Sequence, residues 1–150
     1  MTEVPVRKYM SFDINKYPNG GPCSAAEIEQ ASQMLGHSLP GELTVIYSLA
    51  NGLRGPTNTA FLYPLVAPNH LNQTTAVSFT EYLRSDPIQP SFWKSAIAFG
   101  DYGVGATWGI RVEDGQIFEW WPEDGEEVTI VGSSILQVWA EKEKWYEELA

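Results

Sequence analysis

The chain has 150 residues, 43% apolar and 13% aromatic, which suits one ordinary domain with its own hydrophobic core. Its formal charge of −10 argues against nucleic acid as a ligand, because binding it normally needs a basic patch. A single cysteine, Cys23, excludes an internal disulfide, and no run approaches the ~20 apolar residues of a membrane helix.

The first twenty residues mix polar and aromatic positions. Arg7 and Lys8 are not followed by an apolar run, and Glu3 and Asp13 interrupt any signal-like pattern. The chain is therefore expected to be one domain over residues 1–150, soluble and cytoplasmic. Pro18-Asn19-Gly20-Gly21-Pro22 is a strong break. Ser24 and Glu27 have capping-box spacing and predict a helix over 24–35, ended by Gly36. Pro40 suits the first turn of a second helix, predicted over 41–50 and closed by Asn51-Gly52. Residues 60–66 read as a strand broken by Pro64, and 74–84 as a weaker helix. Short apolar or alternating runs at 96–100, 107–112, 116–121 and 127–131 read as strands. Asp114-Gly115 is a hairpin signal between the second and third of these. A last helix over 134–149 is capped by Ser133 or Ser134. Ile135, Val138, Trp139, Tyr146 and Leu149 share one face, which Lys142 interrupts. Helices first, then strands in succession, then a helix predict an α+β fold with a mostly antiparallel sheet.

The residue types that carry chemistry are sparse. The two histidines, His37 and His70, sit in predicted loops without a nucleophile elbow and read as exposed loop residues. No His or Cys pair has metal-ligand spacing, so neither a metal nor another cofactor is expected. The carboxylates of 113–127 lack the spacing of a calcium loop. As a glycosidase pair they would sit in open turns, where nothing separates their pKa values. Gly103-Val104-Gly105 is not followed by the Lys-Ser/Thr of a phosphate loop and reads as a tight β connection.

Charge is distributed unevenly. Residues 1–100 carry seven acids and six bases, whereas 101–150 carry twelve acids and three bases, so −9 of the −10 lies in the last third. Such a face either keeps the protein soluble or steers a basic partner. The six Trp supply core, binding surface, or both.

Four features occur in order: Leu39-Pro40 opening a helix, Asn51-Gly52 closing it, the Gly-rich connection of 101–109, and Ile117-Phe118-Glu119-Trp120 before a capped helix. This order resembles the SUKH superfamily, from about Ser24 to the C-terminus. Trp121-Pro122 departs from the pattern, where more polar residues are common. The resemblance implies a curved sheet flanked by N-terminal helices and a C-terminal helix, no catalysis and no catalytic residue. It further implies a protein-binding role. One form is immunity against a cognate polymorphic toxin, often a nuclease; the other is a regulatory or scaffold module with several partners. An acidic immunity protein can mimic phosphate on a basic toxin. On that reading Glu119, Trp121, Glu123, Asp124, Glu126 and Glu127 are the expected contact residues, with Trp121 as an apolar anchor.

Overall fold

A computed structural model describes residues 12–67 and 74–149. His70 and the basic pair Arg7-Lys8 lie outside the described residues. The helices among them are α1 (Ala25–Leu35), α2 (Gly41–Tyr47), α3 (Ala76–Ser85) and α4 (Ile135–Leu149). The strands are β1 (Leu53–Arg54), β2 (Ala60–Leu62), β3 (Ala96–Gly100), β4 (Thr107–Arg111), β5 (Ile117–Trp120) and β6 (Thr129–Gly132). This is the expected α+β arrangement, and every strand pairing is antiparallel. None of the described helices is long and apolar enough to cross a membrane.

Local chemistry accounts for the helix ends. Ser24 Oγ accepts from the Glu27 N–H at 3.1 Å while Glu27 accepts from the Ser24 N–H at 2.8 Å, a reciprocal capping box. Gly36 stops α1 in the left-handed region at φ 83°. The second helix is shorter than expected and ends at Tyr47 rather than Ala50. The N–H groups of Leu49 and Ala50 both turn back to the Ile46 carbonyl. Asn51 does not cap this helix. Its Oδ1 accepts from Leu65 N–H at 2.7 Å and its Nδ2 donates to the Val66 carbonyl at 3.0 Å, tying the end of α2 to the segment after β2.

The strand expected over 60–66 is only Ala60–Leu62, and its partner β1 is too short to leave a sequence pattern. The β1–β2 pair is stitched to the main sheet, in which β3 to β6 run in order. Tyr63 N–H donates to Phe99 O at 2.7 Å, and Asp101 N–H to Ala60 O at 2.8 Å. Gly100 makes that junction possible, since a Cβ there would overlap the Phe61 carbonyl. Register irregularities at Ala98/Gly100 and Ile117/Phe118 bend the strands they interrupt.

Alternation assigns the two faces of the sheet. Ile97, Phe99, Trp108, Ile110 and Ile117 point into the larger core, with Leu43, Ile46 and Tyr47 of α2 and Ile135, Val138 and Trp139 of α4. Ala96, Ala98, Phe118 and Trp120 point into a smaller core with Leu83 of α3 and Trp93. The buried Thr80 hydroxyl accepts the Ala98 N–H at 3.0 Å and docks α3 on that face. Four tryptophans, Trp93, Trp108, Trp120 and Trp139, are therefore core, whereas Trp121 is half-buried and Trp145 exposed.

Candidate partner-binding surface

The segment joining β5 to β6 carries the six residues expected to meet a partner. Glu119 is the last residue but one of β5 and pairs with Trp108, so it lies on the large-core face where that face runs out toward solvent. One oxygen, Oε2, accepts from Tyr102 Oη at 2.8 Å and from the Trp121 indole N–H at 3.2 Å. Among the described residues Oε1 has no donor. The hydrogen bond to Glu119 and burial together push the Tyr102 hydroxyl well above its ordinary pKa, burial being the larger cause. Trp121 also packs against the core, so the expected free-standing anchor is half-buried and tied to Glu119.

Pro122 then opens a short 3-10 turn over Pro122–Asp124, a position where its missing N–H costs nothing. Gly125 follows at φ 62°, and its carbonyl accepts from the buried Trp120 indole N–H at 2.7 Å. The turn is thus anchored from below while its acids face outward. Glu123, Asp124, Glu126 and Glu127 are exposed. Among the described residues none of the four is in an ion pair or accepts a hydrogen bond through its side chain. The two described ion pairs lie elsewhere, Lys16–Glu143 at 3.2 Å and Arg111–Asp114 at 3.8 Å.

The six residues do not make one flat patch. Glu119 lines a groove on the large-core face with Trp108, Glu141, Lys142 and Trp145. Glu126 lines a groove on the opposite face with Phe92, Arg111, Glu113 and Phe118. The acidic turn therefore straddles the end of the sheet. Sequence reading missed Tyr102, Glu141 and Trp145 as neighbours of Glu119. Its one usable signal was Lys142, a cation breaking an otherwise apolar helix face.

Burial shifts His37 and Cys23 away from their charged forms. His37 is half-buried, not the exposed loop residue expected, and its Nε2 lies 2.8 Å from an Arg84 guanidinium nitrogen. Guanidinium only donates, so Nε2 is the acceptor and the ring is neutral. Burial first, and the Arg84 charge second, hold its pKa below the ordinary histidine value. Arg84 also donates to the carbonyls of Leu35, Trp93 and Ala96 at 2.6, 2.8 and 3.1 Å. Burial, with a smaller contribution from Glu27, pushes the Cys23 thiol up to about 11, far from a reactive thiolate. No cluster of three or more His, Cys, Asp or Glu side chains suited to a metal ion occurs among the described residues.

The described residues form an α+β domain whose helices pack around an antiparallel sheet and whose exposed acidic turn lies at one sheet end. The family model described as the SMI1 / KNR4 family (SUKH-1) matches residues 22–141, and the chain belongs to that family. No curated protein matches the chain.

Proposed function

We propose that this protein is a non-enzymatic, cytoplasmic immunity protein that binds and neutralises a cognate toxin by covering a basic surface, such as the phosphate-gripping face of a nuclease. The observation that carries this reading is the ordered turn of four exposed carboxylates at the sheet end, which have no partner among the described residues. Like charges this close repel one another in the free protein, and a cationic partner relieves that cost. Carboxylates at an interface rim act chiefly on encounter, raising the association rate at low salt.

The test uses the cognate toxin that this reading requires, sought among the products of the neighbouring genes. Glu123→Gln, Asp124→Asn, Glu126→Gln and Glu127→Gln are combined in one variant, and association is followed by stopped flow across a salt series. The expected result is association roughly tenfold slower at low salt, with a flatter salt dependence. Trp121→Phe, which loses the indole N–H but keeps most of the ring, should instead speed dissociation. Unchanged association rate and salt slope in the quadruple variant would sink the reading of this turn as the steering surface. Equal binding to several unrelated proteins would favour the regulatory-module alternative.

A further inference from the structure

The groove on the large-core face, between α4 and the ends of β4 and β5, has a volume of about 320 Å³. We propose that this groove, together with the Tyr102–Trp145 corner beside it, is a slot for an arginine side chain of a basic protein partner, and that the Lys142 ammonium occupies the corner in the free protein. The idea rests on the reading of the chain as a protein-binding domain for the source of the arginine, and on geometry for the slot itself.

Lys142 makes no ion pair among the described residues, although Glu119 and Glu141 line the same groove. Its ammonium instead lies over two aromatic rings, 3.9 Å from the Tyr102 centroid and 4.7 Å from that of Trp145. Those rings meet edge to face, with centroids 5.8 Å apart at 88°, so they form the two walls of a right-angled corner. Trp108 stacks behind Tyr102 at 5.4 Å and backs that wall with a rigid buried ring. A cation in such a corner is attracted by both ring faces.

The carboxylate at the end of the slot is already oriented. Two donors hold Glu119 Oε2, leaving Oε1 without a partner among the described residues. Lysine is a poor match for this constellation, because a compact ammonium cannot stack on a ring and fork onto a carboxylate together. A guanidinium can do both, lying flat on one ring while its N–H edge meets Glu119. Lys142 is also covalently part of α4, so it can swing out into water without moving the backbone. It holds the aromatic corner in a cation-ready state and is the group that an incoming arginine displaces.

The probe is the tripeptide acetyl-Gly-Arg-Gly-amide, compared with the same peptide carrying citrulline, the neutral isostere of arginine. Binding to the full chain is followed by the Trp145 indole N–H resonance, assigned through Trp145→Phe. Lys142→Met removes the internal competitor, while Lys144→Met removes the same charge on the same helix and serves as the control. The expected result is that Lys142→Met binds the arginine peptide at least about threefold tighter than the unmodified protein. Lys144→Met should change affinity by less than half that factor. Glu119→Gln keeps an acceptor for Tyr102 and Trp121 but removes the charge. Added to Lys142→Met it should cancel the gain, and the citrulline peptide should leave the Trp145 resonance in place. No gain in Lys142→Met, an equal gain in Lys144→Met, or equal binding of the citrulline peptide would each overturn the slot. A slot overturned in this way leaves the steering turn standing if the quadruple variant still slows toxin association. A peptide that binds as expected, in a protein that binds no toxin, leaves the slot standing and removes the immunity reading.

Discussion

The carboxylates of the helical N-terminal part and those of the β5–β6 connection have the same chemistry and opposite employment. Glu27 closes a capping box at the start of α1. Glu42, on α2, reaches across the molecule to the start of α4, where it accepts from the Ser134 hydroxyl at 2.8 Å and from the Leu136 N–H at 3.2 Å, and also from the Ile135 N–H. Glu123, Asp124, Glu126 and Glu127 touch no donor among the described residues and stand in water. An acidic residue at a helix start satisfies N–H groups that the helix cannot and meets the positive end of its dipole. An acidic residue on an exposed turn does neither, and its charge stays exposed to water. The net charge of −10 thus includes acids that the fold uses and acids that it leaves exposed to water.

The largest effect expected from breaking this division is at Glu42. Glu42→Ala strands three donors at a half-buried helix start and should destabilise the protein by about 2–3 kcal/mol. That corresponds to a fall in Tm of roughly 5–10 °C for a domain of this size. Glu42→Gln keeps one acceptor oxygen and should recover part of the loss. Urea or thermal unfolding monitored by Trp fluorescence reads both. A loss below about 0.5 kcal/mol for Glu42→Ala would show that water replaces the carboxylate, and the contrast between the two populations would collapse.

A smaller effect should come from the Arg84–His37 contact, where a cation has no carboxylate in hydrogen-bond contact among the described residues. Its donors go to three carbonyls and one neutral imidazole. The folded state holds the His37 pKa below its unfolded value of about 6.5. The unfolded chain therefore binds this proton more readily, so stability rises with pH through this group. The contribution is fully present above about pH 6.5 and is lost as pH falls below it toward the depressed folded value. His37→Gln offers Arg84 a non-titrating acceptor. Urea midpoints at pH 7.5 and 5.5 should fall on acidification by less in this variant than in the unmodified protein. Equal falls would mean that His37 plays no part in the acid response.

Glu42 also marks the limit of what could be read from the sequence. Local signals carried through well. Ser24 with Glu27, Gly36, and the turn at Asp114-Gly115 act on neighbours within a few residues, so their spacing predicted α1 and the β4–β5 hairpin. Ser134 was legible as a cap for the same reason, and its Oγ does accept the Gln137 N–H at 3.3 Å. The partner that shares this cap lies 92 residues away, and no spacing rule reaches that far. Asn51 misled for the opposite reason. Its pairing with Gly52 suits a helix cap, but α2 already ends at Tyr47 and the Asn51 amide is taken by Leu65 and Val66. At the candidate site the exposed turn was legible, because four acids around a glycine have no use in a core. The groove beside Glu119 was not. It depends on Tyr102, Lys142 and Trp145 meeting across separate elements, and Lys142 read only as a flaw in an apolar stripe.

The smallest effect is the one that separates the two populations most sharply. The combined variant Glu123→Gln, Asp124→Asn, Glu126→Gln and Glu127→Gln removes four charges from one short turn. If those carboxylates were structural, the loss should resemble a fraction of that at Glu42 for each position. They accept no hydrogen bond and pair with no base among the described residues, so nothing in the fold depends on their charge. The turn is held by the Trp120 indole bond to the Gly125 carbonyl at 2.7 Å and by backbone bonds such as Asp124 N–H to Trp121 O at 2.9 Å, all of which the variant leaves intact. Its stability should therefore differ from that of the unmodified protein by no more than about 0.5 kcal/mol. The sign should be stabilising, because removing like charges relieves their mutual repulsion, and the gain should vanish at high salt. Urea unfolding at low and at 1 M salt measures both quantities. A destabilisation above about 1 kcal/mol would place these acids with Glu27 and Glu42, as parts of the fold, and leave the sheet end with no charge free to steer a partner.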